Sequence, residues 1–332
     1  VGSLQVLYHG NCFDGVVSSA VFWRFYRERH DPGAAVRFRA MAHSSGDPFG
    51  EDHDALFDAD VNAVLDFRYS PSPRLQWWCD HHQTAFLSPE HRRHFEAHPS
   101  SRKRFDPEAP SCAGLLVRWL EADHGFSQPT FADHAAWADR VDSAAFASPS
   151  QAVELAEPAL QLMMLLESAP GPALTDGLIR GLADGSLEQV HARPEVQQAL
   201  APVLRRHRET VELFRERLTV RQGVGIFDLS EDGVEGFNKF IPYYLEPSLR
   251  YTVGLTRSPR RAKVSVGSNP WQRPEPLVNL GQLCRRFGGG GHAVVGAVSL
   301  APERLADARR AFEQIQQTLV ESGSGRSTST EG

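Results

Sequence analysis

Apolar residues in the first 150 positions come in short runs, and each run stops at a polar or ionisable side chain. Leu4-Gln5-Val6-Leu7-Tyr8 predicts a buried strand, followed by the polar turn His9-Gly10-Asn11-Cys12-Phe13-Asp14-Gly15. Residues 16–29, apolar at Val17, Ala20, Val21, Trp23 and Phe25, predict a helix. Val36–Ala40 predicts a second strand, and Ala63-Val64-Leu65-Asp66-Phe67 a third that ends on an aspartate. Leu75–Cys79 predicts a fourth, running into Asp80-His81-His82. The segments between them are long enough for crossover connections, so the pattern implies an α/β fold with a doubly wound, mainly parallel sheet.

Beyond residue 110 the period lengthens. Cys112–Glu121 predicts a helix with Ser111 as its N-cap, and Ala132–Val141 another that delivers Asp139 and Asp142. Residues 151–217 hold strong helix formers and almost no strand pattern. Strand patterns return at Gly223–Asp228, Arg250–Thr256 and Lys263–Val266, then a helix at Leu277–Phe287, the run Gly288–Gly291, His292 and a closing strand Val294–Leu300. The predicted organisation is an α/β domain at 1–160, a helical connector at 161–219 and a smaller α/β domain at 220–315. A disordered tail is expected at 316–332, Ser/Thr/Gly-rich from Ser322 onward.

Composition narrows the class. A chain of 332 residues with 41% hydrophobic and 23% charged positions suits two modest soluble domains. No run approaches the roughly 20 apolar residues of a membrane-spanning helix, and no signal-peptide pattern stands near residue 1. A cytoplasmic protein without a membrane partner is expected. The four cysteines, Cys12, Cys79, Cys112 and Cys284, are scattered without a Cys-x-x-Cys pair and read as reduced thiols. The net charge of −6 is unevenly spread: residues 1–160 carry 14 Lys/Arg against 22 Asp/Glu, and residues 221–300 carry 10 against 6. An acidic first half suits a carboxylate-rich metal site, and a basic second half suits a phosphate-bearing ligand. Neither has the long basic stripe of a protein that binds long duplex nucleic acid.

Four strand or helix ends present metal-competent side chains: His9 with Asp14, Asp66, Asp80-His81-His82, and Asp142. Mixed histidine and carboxylate ligation suits Mn²⁺, Fe²⁺ or Zn²⁺, and an oxygen-rich set without thiolate favours manganese. His91, His94 and His98, and the run Arg102-Lys103-Arg104, read as solvated surface. Trp77 and Trp78 alternate across a strand, so at least one is core. Of Tyr243 and Tyr244, one is a candidate for stacking on a base and one for the core.

Taken in order, these segments resemble the DHH/DHHA1 phosphoesterase superfamily. Asp80-His81-His82 looks like its signature, residues 8–15 like its first motif, Val64-Leu65-Asp66-Phe67 like its second and Val141-Asp142-Ser143 like its fourth. Phe287-Gly288-Gly289-Gly290-Gly291-His292 is similar to the glycine-rich segment of the smaller domain, and Ser265-Val266-Gly267-Ser268-Asn269 to the strand before it. The resemblance implies that His9, Asp14, Asp66, His81 and Asp142 hold one or two Mn²⁺ ions, with Mg²⁺ or Co²⁺ as substitutes and Asp66 bridging. It assigns catalytic positions to Asp80, which orients a histidine, and to His82. It implies substrate contacts from Ser265, Ser268, Gly289, Gly290, Gly291 and His292. The sequence departs from the pattern at Val16, where many relatives carry a second aspartate, and at Gly267, where an arginine is common. The implied activity is hydrolysis of short oligoribonucleotides or small nucleotide phosphoesters by metal-activated water, in a cleft between two domains. The alternatives are a cyclic-dinucleotide phosphodiesterase or 3′-phosphoadenosine 5′-phosphate phosphatase, then a single-strand exonuclease, a polyphosphate hydrolase, and a non-catalytic nucleotide sensor. The oligomeric state is left open, a homodimer included.

Overall fold

The structure, a computed structural model, describes residues 2–42, 46–50, 52–234, 236–273 and 278–324. It divides into two compact units, residues 1–146 with 155–204, and residues 147–154 with 205–332.

The first unit is built on β1 (Ser3–His9), α1 (Phe13–Arg29), β2 (Ala35–Met41), α2 (His53–Leu56), β3 (Val61–Leu65), β4 (Trp77–Asp80), α3 (Pro89–Ala97), β5 (Lys103–Phe105), α4 (Cys112–His124) and α5 (Pro129–Asp142). The five strands pair in parallel in the order β2-β1-β3-β4-β5. Both faces of the sheet are covered, which is why its central strands read as continuous apolar runs rather than alternating ones. Trp77 packs with Phe22, Phe25 and Trp119 on the face of α1 and α4. Trp78 packs with Tyr69, Phe86 and Phe95 on the other. Both tryptophans are therefore core.

β5 is a strand where a solvated run was expected. Its Lys103 is half-buried over the Tyr69 ring. An edge strand of charged residues carries no apolar period to announce it, and charge there discourages pairing with another chain.

α6 (Pro149–Glu154) belongs to the second unit, held by Asn238 Nδ2 donating to Ala152 O at 2.6 Å and by His207 Nε2 at 2.7 Å from Val153 O. α7 (Pro158–Glu167), α8 (Pro172–Asp184) and α9 (Leu187–His191) return to the first unit. The region read as a connector is thus largely part of the first unit. α8 buries Leu178, Ile179 and Leu182, and Arg24 and Arg27 of α1 pair with its Asp184. α10 (Pro194–Arg217) carries the chain from one unit into the other.

The second unit continues with β6 (Thr219–Arg221), β7 (Val224–Leu229), α11 (Ile241–Leu245), β8 (Tyr251–Arg257), β9 (Ala262–Ser268), α12 (Leu280–Arg285), β10 (Gly290–His292), β11 (Val295–Leu300) and α13 (Leu305–Ser324). The mixed sheet runs β10-β11-β9-β8-β7-β6, with β7 and β8 parallel and the other pairs antiparallel. Alternate residues of β9, Ala262, Val264 and Val266, face a core shared with Leu280, Leu283 and with Ile315 and Leu319 of α13. The tail expected from 316 therefore begins inside a packed helix, and residues 325–332 lie outside the described residues. So does Leu277, the expected start of α12. Among the described residues, no helix is long and apolar enough to cross a membrane.

Candidate metal centre

In the order β2-β1-β3, the chain leaves β1 toward one side of the sheet and β3 lies on the other. Open α/β sheets bind ligands at such a reversal, beyond the carboxyl ends of the strands. His9 is the last residue of β1, and Asp66 directly follows β3. Asp66 sits at φ +53°, in the left-handed region that aspartate tolerates better than most residues, and its N–H still donates to Cys79 O at 2.9 Å. Gly15 opens α1 so close to the strand that a Cβ there would lie 2.3 Å from His9 O. That contact holds the first turn of α1, which carries Asp14, against the end of β1. Asp14 is then gripped by the N-terminus of α4: Cys112 N–H and Ala113 N–H each donate to its carboxylate at 2.7 Å. Ser111 caps α4 through Gly114 N–H, and its hydroxyl donates to Asp139 Oδ1 at 2.5 Å. Asp139 in turn places the end of α5, where Asp142 stands.

Asp80 ends β4, fully buried, and its Oδ1 accepts from His81 N–H at 2.8 Å and from His82 N–H at 3.3 Å. The same oxygen lies 2.8 Å from His82 Nδ1. The ring that Asp80 orients is thus His82. His81 is fixed differently, with Nδ1 2.9 Å from Ala109 O. That leaves its Nε2 turned inward, 3.6 Å from Asp14 Oδ2, 3.6 Å from Asp66 Oδ1 and 3.4 Å from Asp142 Oδ2. His9 Nδ1 lies 3.4 Å from Asp66 Oδ2. The five residues predicted as metal ligands converge on one place.

The spacing tests whether a cation fits. Metal–ligand bonds of about 2.1 Å put neighbouring ligand atoms roughly 3.0–3.4 Å apart. The 3.4–3.6 Å separations around His81 and Asp66 are near that range and too long for well-formed hydrogen bonds. Both oxygens of Asp66 and His81 Nε2 are buried with no hydrogen-bond partner among the described residues. Buried polar atoms normally find partners, so these donors fit a divalent cation. In three overlapping triplets one ligand atom from each residue lies within 4.8 Å of the other two: Asp14, His81 and Asp142; Asp66, His81 and His82; and His9, Cys12 and Asp66.

Crowding of carboxylates shows in their proton affinities. Burial, then the Asp142 charge, pushes Asp14 up from 3.8 to about 6, against the His81 imidazole and the two α4 N–H groups. Burial followed by Asp14, Asp80 and Asp142 holds Asp66 well above the ordinary carboxylate range. Burial opposes protonation of His82, and Asp80 more than offsets it, so its pKa lies above the usual imidazole value.

Cys12 is the member of this cluster that the sequence reading set aside with the scattered thiols. Its place inside the first motif, three residues after His9, was the available signal. Val16, at the departure from the family pattern, is fully buried. His91, His94 and His98 join none of the triplets.

In the second unit, strand register sorts the predicted substrate residues. Ser265 pairs with Ala297, and Ala297 with Gly290; Gly267 pairs with Val295, and Val295 with His292. Residues opposite one another share a face, so Ser265, Gly290 and His292 lie on the face away from the α12–α13 core. Ser268 has the opposite parity; it is buried and its hydroxyl donates to Val294 O at 3.2 Å. The second half of the glycine run, Gly290 and Gly291, enters the short strand β10, whereas Gly288 and Gly289 precede it. A Cβ at Gly289 would meet Ala297 O at 2.2 Å and one at Gly291 would meet Val295 O at 2.2 Å, whereas one at Gly290 would meet nothing within 4 Å. Gly289 and Gly291 are therefore required for backbone packing, and Gly290 alone of the three opens outward. Gly267 faces the Tyr243 hydroxyl, 3.2 Å from where its Cβ would stand. Tyr243 itself is core, bonded to Thr252 Oγ1 at 3.0 Å.

No family model matches the sequence, and no curated protein matches it. Solved structures do. A pGpG-specific phosphodiesterase from Vibrio cholerae superimposes over 97% of this chain and 99% of its own, at 19% identity and a TM-score of 0.67. RecJ from Thermus thermophilus, solved in complex with Mn²⁺, matches 98% of this chain at 11% identity and a TM-score of 0.53. This chain spans about half, 52%, of that RecJ chain. At these identities the likeness establishes a shared fold.

Proposed function

Starting from a chain with the fold of DHH-superfamily phosphoesterases, we propose that it hydrolyses phosphate esters of short nucleotides with the help of bound divalent metal. The observation that carries this reading is the Asp66 carboxylate: fully buried, without a hydrogen bond to either oxygen among the described residues, and faced by His9 and His81 at 3.4–3.6 Å. A group so costly to bury unpaired is accounted for by a cation.

His9, Asp14, Asp66, His81 and Asp142 would hold one or two ions, with Mn²⁺ first and Mg²⁺ or Co²⁺ as substitutes. Bound there, such ions supply Lewis-acid activation of water and neutralise phosphoryl oxygens. The chain's own residues provide the rest. The N-terminus of α4 holds Asp14 in place, and the Ser111–Asp139 bond sets Asp142. Asp80 fixes the His82 ring, so that His82 can hold a proton toward the departing oxygen. In the second unit, Ser265, Gly290 and His292 share the outward face of the sheet and contact the part of the nucleotide remote from the reacting phosphate. Lys263, two positions before Ser265 on the same face, supplies positive charge that Gly267 does not. Binding energy from that remote part positions the reacting group.

The similarity to a pGpG-specific phosphodiesterase over the full length of both chains supports a linear dinucleotide as the first substrate to try. The similarity to RecJ supports a second reading, exonuclease action on single strands. The deciding experiment assays linear dinucleotides, longer oligomers, a cyclic dinucleotide and 3′-phosphoadenosine 5′-phosphate with Mn²⁺, with chelator as control. Chelator-sensitive turnover falling with oligomer length supports the proposal. Turnover that increases with length moves the exonuclease to first place. No turnover of any substrate in a Mn²⁺-loaded protein overturns both.

A further inference from the structure

Asp66 has two ends. Oδ1 faces His81, which also approaches Asp14 and Asp142; Oδ2 faces His9 at 3.4 Å. On the His9 side stands Cys12, whose Sγ lies within 4.8 Å of both a His9 nitrogen and an Asp66 oxygen. The turn between β1 and α1 creates this neighbourhood. Asn11 adopts φ +56°, reversing the chain so that Cys12 comes back beside His9. The other cysteines do different work. Cys79, Cys112 and Cys284 are fully buried, and Cys112 donates to Cys79 O, whereas Cys12 keeps part of its surface. An isolated thiol would mean little, but here a fully buried carboxylate whose oxygens find no hydrogen-bond partner among the described residues shares its corner.

We propose that Cys12 is a thiolate ligand, so that His9, Cys12 and Asp66 Oδ2 form a sulfur-containing corner for a thiophilic divalent cation of the Zn²⁺, Fe²⁺ or Co²⁺ class. The inference rests on the metal reading above and deepens it: the centre is asymmetric. The corner of Asp14, His81 and Asp142 offers oxygen and imidazole and suits a harder ion such as Mn²⁺, while sulfur selects a softer one. The charges balance. Binding displaces one proton from the Cys12 thiol, and the resulting thiolate with the Asp66 carboxylate neutralises one divalent ion. This corner also supplies a ligand where the family's second aspartate is replaced by Val16.

The test is titration of the full chain with Co²⁺, read by absorption and by elemental analysis. Sulfur bound to Co²⁺ gives a charge-transfer band in the near ultraviolet that oxygen and nitrogen ligands do not. The expected result is a band that grows to one equivalent in the wild type and is absent from Cys12→Ser, which binds one equivalent less. Cobalt that binds without the band, or a band that survives in Cys12→Ser, overturns the thiolate while leaving the metal centre standing. Failure to bind any Co²⁺, Mn²⁺ or Zn²⁺ overturns the metal centre itself. If Cys12→Ser does not fold, the wild type decides: Zn²⁺ should slow alkylation of Cys12, located by peptide mass, at least tenfold. Equal rates with and without bound Zn²⁺ overturn the proposal.

Discussion

Replacing Asp66 with asparagine should stabilise the metal-free protein and weaken the metal-loaded one. The substitution keeps the shape and suits the backbone, since asparagine adopts the left-handed conformation at φ +53° as readily as aspartate. It removes a carboxylate that is fully buried without donors to either oxygen among the described residues. Leaving such an acceptor unsatisfied costs about 1–3 kcal/mol, and more when it is charged. For a unit of about 200 residues, each kcal/mol shifts Tm by roughly 2–4 °C. Metal-free Asp66→Asn should therefore melt about 2–12 °C above metal-free wild type near pH 7. With metal at 100 times its Kd, the wild type should gain about 2.7 kcal/mol, and the variant far less, so that the order reverses. The pH dependence has a definite sign. A carboxylate whose folded pKa is raised binds its proton more tightly when folded, so its contribution is favourable below the unfolded value and is lost as pH rises. The advantage of the variant should be small near pH 4 and grow as pH rises above the ordinary carboxylate range. Calorimetry on chelated and loaded protein at several pH values measures all of this. A well-folded, metal-free Asp66→Asn that melts below the wild type at pH 7 would refute the reasoning.

The glycine run should separate packing from recognition. Gly291→Ala, at φ +142° and with a Cβ 2.2 Å from Val295 O, should destabilise by about 2 kcal/mol or more. Gly290→Ala should melt like the wild type yet raise KM for a dinucleotide; denaturant titration and steady-state kinetics check the pair. Ser111→Ala removes both the α4 cap and the hydroxyl holding Asp139. It should cost about 1 kcal/mol and also weaken metal binding, measured by calorimetry, because Asp142 loses its positioning. His292→Ala should leave metal content intact and lower kcat/KM for a dinucleotide at least tenfold, with a smaller effect on a small aryl phosphodiester. Equal losses on both substrates would place His292 in the chemistry.

Much of the first unit was legible because its chemistry sits where a periodic pattern stops. His9, Asp66 and Asp80 each end or follow an apolar strand, and a parallel sheet brings the carboxyl ends of its strands to one edge whatever the intervening sequence. The order of the motifs and the first four strands, β1 to β4, could be read for the same reason. β5 could not, since the charged run Lys103–Phe105 gains strand character only from pairing with β4. The ownership of helices was also invisible: α8 is amphipathic wherever it packs, and only the surface of α1 assigns it to the first unit. Register decided the rest. Ser265 and Ser268 look alike in sequence, and their odd spacing puts one on the open face and one in the core. Cys12 shows the same limit most plainly. Its neighbours in sequence mark it as a turn residue, and its place beside His9 and Asp66 exists only because the turn folds back on the strand ends. Local patterning is a property of consecutive side chains, whereas coordination depends on which atoms converge, and convergence is set by the packing of segments far apart in the chain.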